Sequence, residues 1–448
     1  MKKGFYRSAL LLLMTILTTW SSRGFGCLPG PDSLSIDEAL RIVVSSHPAI
    51  AQATAAVDVL EARIHETQSS YFPTVDAEAS YLYLRPIVEL PFPGLGDFIL
   101  FPANNYDAHI RLRQLIYDFG KTSTSVELGV AREGSALQAV TATRSRLAYQ
   151  TIQTFYSILL LERSIAVEDR EIETLNEHKL VNQKRVDAGS GTEFEVLTTQ
   201  VRVAAAQTRR IDLQNSLDNQ RIALRQLLGL SPSAPLAIHG EFIMRDEQLD
   251  VDALVTRSLS QRADYRGARD DESAASLQHR LAGMADLPSV SFMATYGVKN
   301  CYLPNLDVLR GNWTAGVELQ VPIYTGGKTG HREQEEAAAM RGVEAHLSDI
   351  ERQIQSEVRG AVVDVQAAAE KVKTSELQVR QAEDALSIAR KRYEAGTVSN
   401  LDVLDAETSL SQAGLLQLRA QYGYVISRYA LDRAVGNEVW RENPAGPR

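Results

Sequence analysis

The sequence predicts a mainly α fold with β, in which long antiparallel helical hairpins join four strands and the whole is built by internal duplication. Three observations predict it. No proline occurs between Pro102 and Pro232, or between Pro322 and Pro444. Proline removes an N–H and clashes with the preceding turn, so its absence over such lengths marks helix. Four other segments alternate apolar and polar residues at period two, the signature of strands with one face of each kind. Finally, the two halves match each other at a single offset of 207 residues, and a repeat decides an architecture before any single motif does.

Composition bounds the reading. The chain has 448 residues, 44% hydrophobic and 23% charged. That is too long for one compact core and fits two or three domains or one elongated repeat architecture. The net charge of −9 is spread over both signs, which argues against a nucleic-acid partner, since that needs a basic face. Residues 1–26 read as an export signal. Lys2, Lys3 and Arg7 form its positive start, and the apolar stretch Ala9 to Trp20 is too short to span a membrane. Cys27 follows Gly24-Phe25-Gly26 and is read either as a lipidated N-terminus or as the residue after a plainly cleaved signal. A lipoprotein signal normally carries Leu where this chain has Gly24. No other stretch reaches the length of an apolar membrane helix, so any membrane span must be a β-barrel. The two cysteines, Cys27 and Cys301, and eight scattered histidines show no ligand spacing. No metal and no cofactor is expected.

The repeat is visible residue by residue. Tyr117-Asp118-Phe119-Gly120-Lys121 aligns with Tyr324-Thr325-Gly326-Gly327-Lys328. Lys184-Arg185-Val186-Asp187-Ala188-Gly189 aligns with Lys391-Arg392-Tyr393-Glu394-Ala395-Gly396, Val196-Leu197 with Val403-Leu404, and Gly229 with Gly436. Pro73 pairs with Pro288 at a larger offset, so the first copy carries extra residues between its two strands. The expected units are a first repeat over 34–230, a linker over 231–250, a second repeat over 251–436 and a tail over 437–448.

Each unit reads in the same order. A helix from Ser35 to about Ser70 opens with Ser35 and Glu38 as a capping box, and its counterpart runs from about Val251 to Ala285. Pro73 and Pro288 end them. A strand pair follows. In the first unit Val75, Ala77, Ala79 and Tyr81 alternate with Asp76, Glu78 and Ser80, and the return strand sets Ala108, Ile110 and Leu112 against His109, Arg111 and Arg113. In the second, Val290, Phe292, Ala294 and Tyr296 alternate with Ser291, Met293 and Thr295. There the return strand sets Trp313, Ala315, Val317 and Leu319 against Thr314 and Glu318. Pro91 to Pro102 reads as an apolar surface loop. Then come the proline-free helices. Ile350, Ile354, Val358, Ala361, Val365, Ala368 and Val372 recur at spacings of three or four, a coiled-coil-like seam. Breaks at Gly189-Ser190-Gly191 and near Gly396 predict two antiparallel helices per unit, each of roughly 60 residues and on the order of 90–100 Å. Four strands cannot close a barrel and leave two open edges, which a sheet in lipid cannot have. The chain is therefore expected to assemble in a ring.

This order of elements, duplicated in register, resembles the TolC outer-membrane efflux protein family from about Leu34 to Gly436. Its most specific piece is Tyr393-Glu394-Ala395-Gly396-Thr397-Val398-Ser399-Asn400-Leu401-Asp402-Val403-Leu404-Asp405-Ala406. The resemblance implies a homotrimer whose three chains close a 12-stranded transmembrane β-barrel in the outer membrane of a Gram-negative-type bacterium. An α-barrel would project into the periplasm, where a periplasmic adaptor protein and an inner-membrane RND or ABC pump would be the partners. It also implies a passive channel for efflux or secretion rather than an enzyme. By the same resemblance the hairpin tips, with Arg185, Gly189, Thr192, Arg392, Gly396 and Ser399, meet the adaptor. As ordinary turn and cap residues, Thr192 and Ser399 would cap the returning helices and the arginines would cover the last carbonyls of the incoming ones. Asp402, Asp405, Glu195 and Tyr393 would form the periplasmic gate, the aspartates ringing a narrow pore that attracts cations; the other reading of the two aspartates is a solvated helix face with cap roles. One departure stands out: the family's gate-locking arginine falls at Val398 here.

The residues leave a second reading open, a soluble periplasmic coiled-coil adaptor or scaffold. Four amphipathic strands and the duplication disfavour it. Gly327-Lys328-Thr329 ends like a phosphate-binding loop, but Pro322 stands where that loop needs glycine. His331 and Glu335 share a charged helix face and read as solvated. The transported cargo is not encoded in any of these motifs.

Overall fold

A computed structural model of the chain describes residues 33–87, 89–92, 96–99, 101–245 and 248–441. The export signal and Cys27 lie outside them. The alternating segments form one antiparallel sheet of β1 (Thr74–Tyr83), β4 (Asn104–Tyr117), β5 (Ser289–Lys299) and β6 (Arg310–Gln320), in that spatial order. The β4–β5 pairing joins the two repeats, with Ile110 opposite Tyr296 and Leu112 opposite Ala294. One face is a polar ladder: Arg111 donates to both carboxylate oxygens of Glu78 at 2.8 and 3.0 Å, and the hydroxyls of Thr295 and Thr314 lie 2.6 Å apart. The other face carries Val75, Tyr81, Ile110, Tyr296, Trp313, Val317 and Leu319, all exposed, Trp313 at 73%. The Pro91 to Pro102 segment departs from the loop reading. A small two-stranded pairing of β2 (Glu89–Phe92) with β3 (Gly96–Ile99) begins just before it and ends within it.

The helices depart from expectation in two ways. The single helix expected from Ser35 is two, α1 (Ile36–Ser46) and α2 (Pro48–Gln68). Pro48 lacks an N–H and drives His47 to extended backbone, so the helix must restart. The second unit breaks at the matching place with no proline, giving α5 (Val251–Gln261) and α6 (Ala263–Gly283) on either side of Arg262. There the guanidinium is held by Asp264 at 2.5 Å, by Glu357 at 2.6 Å and by the Ala434 carbonyl at 3.3 Å. Tertiary contacts do in one unit what a proline does in the other.

The long hairpins are also unequal. The first is α3 (Lys121–Asp187) with α4 (Glu193–Leu228), and the second is α7 (Lys328–Glu394) with α8 (Asn400–Val435), 67 and 36 residues in each case. At 1.5 Å per residue the longer helices span about 100 Å and the shorter about 54 Å. The remaining length of α3 is covered by α2 and α6 instead. Gly129 of α3 permits this approach: a Cβ there would stand 2.8 Å from Ile64 of α2. Glycine ends both short helices, Gly229 at φ 69° and Gly436 at φ 86°, left-handed conformations that β-carbons disfavour.

The core lies midway. Phe155 and Ile152 of α3, Leu224 of α4, and Ile354 and Val358 of α7 are fully buried there, with α1 against them. Residues 231–245 and 248–250 lie alongside this core. Leu34 bridges to Ile238, and Leu236, Ile238, Phe242 and Leu249 pack on the core together with Val439 and Trp440 of the tail. The seam read from spacing is inside: Ile354, Val358, Val365 and Val372 are buried, and Ile350, Ala361 and Ala368 pack against them. Among the described residues no helix is long and apolar enough to cross a membrane.

Candidate gate at the hairpin tips

The far ends of α3 and α7 turn back through short loops. Gly189 and Gly396 sit at φ 72° and 73°, the conformation a tight reversal needs and glycine adopts without strain. The carbonyl of Arg185 accepts from the N–H groups of Ser190 and Gly191 at 2.8 and 2.9 Å, and that of Arg392 accepts from Thr397 at 2.9 Å. Each returning helix opens with a capping box, Thr192 with Glu195 and Ser399 with Asp402. Two orphan N–H groups are thereby satisfied at each helix start.

These boxes engage two residues expected at the gate. The Glu195 carboxylate accepts from the Thr192 N–H at 3.0 Å, and that of Asp402 accepts from the Ser399 N–H and hydroxyl, both at 2.7 Å. Bonds from Ser399 hold the exposed Asp402 carboxyl below its ordinary range. Asp405, one turn on, meets Arg202 of α4 at 3.1 Å, an exposed ion pair between the two hairpins. Such pairs contribute about 0–1 kcal/mol.

Tyr393 is different. It is 5% exposed, and its hydroxyl donates to Asn182 Oδ1 at 2.8 Å. Burial pushes its pKa up, so the hydroxyl stays a donor. Arg185, expected to cover helix carbonyls, instead lays its guanidinium 4.6 Å over the Tyr393 ring. A guanidinium over the face of a buried ring is a cation–π contact, of about 0.5–2 kcal/mol depending on desolvation. The Tyr393 ring also lies 5.4 Å from the His178 ring.

Asn182 is the hub. Its Nδ2 donates to Thr199 Oγ1 at 3.1 Å and to Asn400 Oδ1 at 2.9 Å, and Asn400 Oδ1 also meets His178 Nε2 at 2.6 Å. Asn400 Nδ2 in turn reaches the Glu195 carbonyl at 3.4 Å. Asn182, Thr199 and Asn400 are buried. The cluster thus ties α3 and α4 to α7 and α8 by bonds that water does not compete for. Sequence reasoning missed Asn182, His178, Thr199 and Asn400. A signal existed: Asn182 lies one heptad after the buried Leu175, a polar residue at a seam position. Farther from the tip each hairpin has an internal charged strut. Arg209 binds Glu168 at 3.1 Å and Glu171 at 2.8 Å, and Arg390 binds the buried Glu407 at 3.2 Å. Burial raises the Glu168 and Glu407 carboxyls despite these partners. No cluster of three or more metal-ligating side chains occurs among the described residues.

Comparison with known proteins supplies what geometry does not. Residues 39–230 and 254–437 match the family model described as outer membrane efflux protein. The chain is 22% identical over 438 residues to outer membrane protein TolC of Escherichia coli, covering 95% of this chain and 86% of that one. It is 26% identical over 375 residues to alkaline protease secretion protein AprF of Pseudomonas aeruginosa, covering 78% and 76%. The outer membrane protein VceC of Vibrio cholerae has the same fold, with a TM-score of 0.76 at 21% identity over 90% of this chain and 96% of that one. CusC superposes with a TM-score of 0.77 at 17% identity, over 90% and 92%.

Proposed function

We infer that this chain, which belongs to the outer membrane efflux protein family, closes with two further copies into a duct. Its role is that of an outer-membrane channel for efflux or secretion, and it is not an enzyme. The observation that carries closure into a ring is the sheet, and the number three rests on the family resemblance. Its outward face is apolar and exposed, its other face is a charged ladder, and β1 and β6 are both unpaired edges. Lipid tolerates no open edge, and three copies give twelve strands, an even number in the range of such barrels. The same exposed apolar face disfavours a soluble adaptor. The helical wall supports closure too: α4 leaves Phe194, Leu197, Val201 and Ile211 exposed along one side, and α7 leaves Val363, Leu377 and Ile388.

The test is cross-linking. With Cys301 replaced by serine, cysteines introduced singly along β6 are paired with Asp76→Cys on β1. Oxidation in membranes is expected to give a ladder ending at three copies for one register. A ladder ending elsewhere, or none at any register, would remove the trimer.

The tips are proposed as the periplasmic gate and docking end. Arg185, Gly189, Thr192, Arg392, Gly396 and Ser399 would present the turns to a periplasmic adaptor coupled to an inner-membrane RND or ABC pump, in keeping with relatives that serve protease secretion. Asp402, Asp405 and Glu195 would bring three carboxylates per chain to the entrance, with Tyr393 holding it closed. Where the family's locking arginine is replaced by Val398, the buried Asn182–Tyr393–Asn400 cluster takes over the link between hairpins.

Asp402→Ala combined with Asp405→Ala is expected to lower cation selectivity in planar bilayers severalfold and to abolish block by divalent ions. The physical reason is that a carboxylate ring concentrates cations at a constriction. Unchanged selectivity in the variant would keep the duct and remove these aspartates from its gate.

A further inference from the structure

We propose that the groove over α8 between α3 and α7, above the tip cluster, is a binding site for a small molecule with an ammonium head and an apolar body. The cavity measures about 450 Å³. Its floor is α8, where Glu407 and Ser411 stand one turn apart, 4% and 7% exposed. Arg390 takes one Glu407 oxygen, at 3.2 Å. The other, Oε2, and the Ser411 hydroxyl are buried with no hydrogen-bond partner among the described residues, and both residues line the cavity.

An orphaned carboxylate oxygen and, one turn on, an orphaned hydroxyl that can also accept would both be met by one compact donor. A carboxylate oxygen deprived of water gains most from a charged N–H group, because charge-assisted bonds are the stronger kind. An ammonium has three donors and no acceptor, so it can satisfy Oε2 and the hydroxyl together. Val167, Val379, Leu386, Leu410 and Leu418 supply apolar walls, and a pocket of this kind fixes orientation with few polar groups. Of the cations nearby, Arg163 is engaged by the Gly240 carbonyl at 3.1 Å and by the Phe242 ring. Arg170 is exposed at the rim. Glu171 is already bound by Arg209, which leaves Glu407 as the buried acceptor. The walls come from different hairpins, so on the duct reading an occupant would brace the two hairpins against moving apart.

The experiment measures binding of 2-phenylethylammonium to the full chain in lipid nanodiscs by saturation-transfer NMR, with empty nanodiscs as background and 2-phenylethanol as the uncharged arm. Saturable binding of the ammonium is expected, at least tenfold weaker in Glu407→Gln and for the alcohol. Arg170→Ala removes a like charge from the rim and is expected to tighten binding two- to threefold. It carries the test if the Glu407 variant does not fold. Equal affinity of wild type and Glu407→Gln, equal affinity for the alcohol, no saturation, or no tightening in Arg170→Ala would overturn the site. Binding is read without current through the channel, so none of these outcomes bears on the duct itself.

Discussion

Tyr393→Phe is expected to raise the open probability of the channel about tenfold in planar bilayers, and Asn182→Ala to do the same or more. The Tyr393 hydroxyl is the only donor to Asn182 Oδ1 among the described residues. Removing it strands a buried acceptor, at a cost of about 1–3 kcal/mol. That cost falls on the arrangement in which the hairpins touch, since separated hairpins would expose both groups to water. A shift of 1.4 kcal/mol is tenfold in an equilibrium. The exposed Arg202–Asp405 pair should matter less, and Arg202→Ala is the internal comparison. An intact trimer whose open probability is unchanged by Tyr393→Phe would show that the buried cluster is a structural clamp with no part in opening.

The second large effect is on stability. Arg262→Ala is expected to cost about 2–3 kcal/mol, below the 3–5 kcal/mol of fully buried pairs because its partners remain partly exposed. Arg262 has its side chain 14% exposed against 45% for Asp264 and 39% for Glu357. It also closes the break between α5 and α6 and caps the Ala434 carbonyl. Burial alone would raise the Asp264 and Glu357 carboxyls, but the adjacent guanidinium overrides it and leaves both below their ordinary range. A carboxyl lowered on folding stabilises above its unfolded pKa, near 4, and the contribution is lost as pH falls through the lowered value. Wild type should therefore lose stability more steeply than Arg262→Ala as the pH falls below the ordinary carboxyl range. Chemical denaturation at pH 7 measures the cost of the substitution, and a series carried from about pH 5 to below pH 4 measures the steepness of the loss. Parallel pH profiles would mean that the arginine acts through packing alone.

Much of the fold was legible because its signals are local and periodic. Period-two alternation places Glu78 and Arg111 on one face and Ile110 and Tyr296 on the other without reference to any neighbour. Glycine at Gly189 and Gly396 marks a reversal because few other residues take that backbone. Ser399 with Asp402 marks a helix start. The helix lengths were misread for a related reason. An unbroken helical pattern says that α3 and α4 are helical, but not that α2 and α6 take over α3's flank where α4 ends. The site was legible only at its motif. Tyr393 lies in a repeated stretch, whereas its acceptor Asn182 lies 211 positions away and looks in sequence like any polar residue on a long charged helix.

The sequence by itself determined the duplication, the order of elements, the strand faces, the hairpin turns and their caps. All of these follow from interactions within a few residues, or from the repetition of such interactions. Only the tertiary structure decided the β4–β5 seam between the repeats, the break at Arg262, and the buried Asn182–Tyr393–Asn400 cluster. Each depends on groups far apart in the chain losing water together, and the energy of a buried hydrogen bond or ion pair is set by that shared desolvation rather than by either residue's neighbours in sequence.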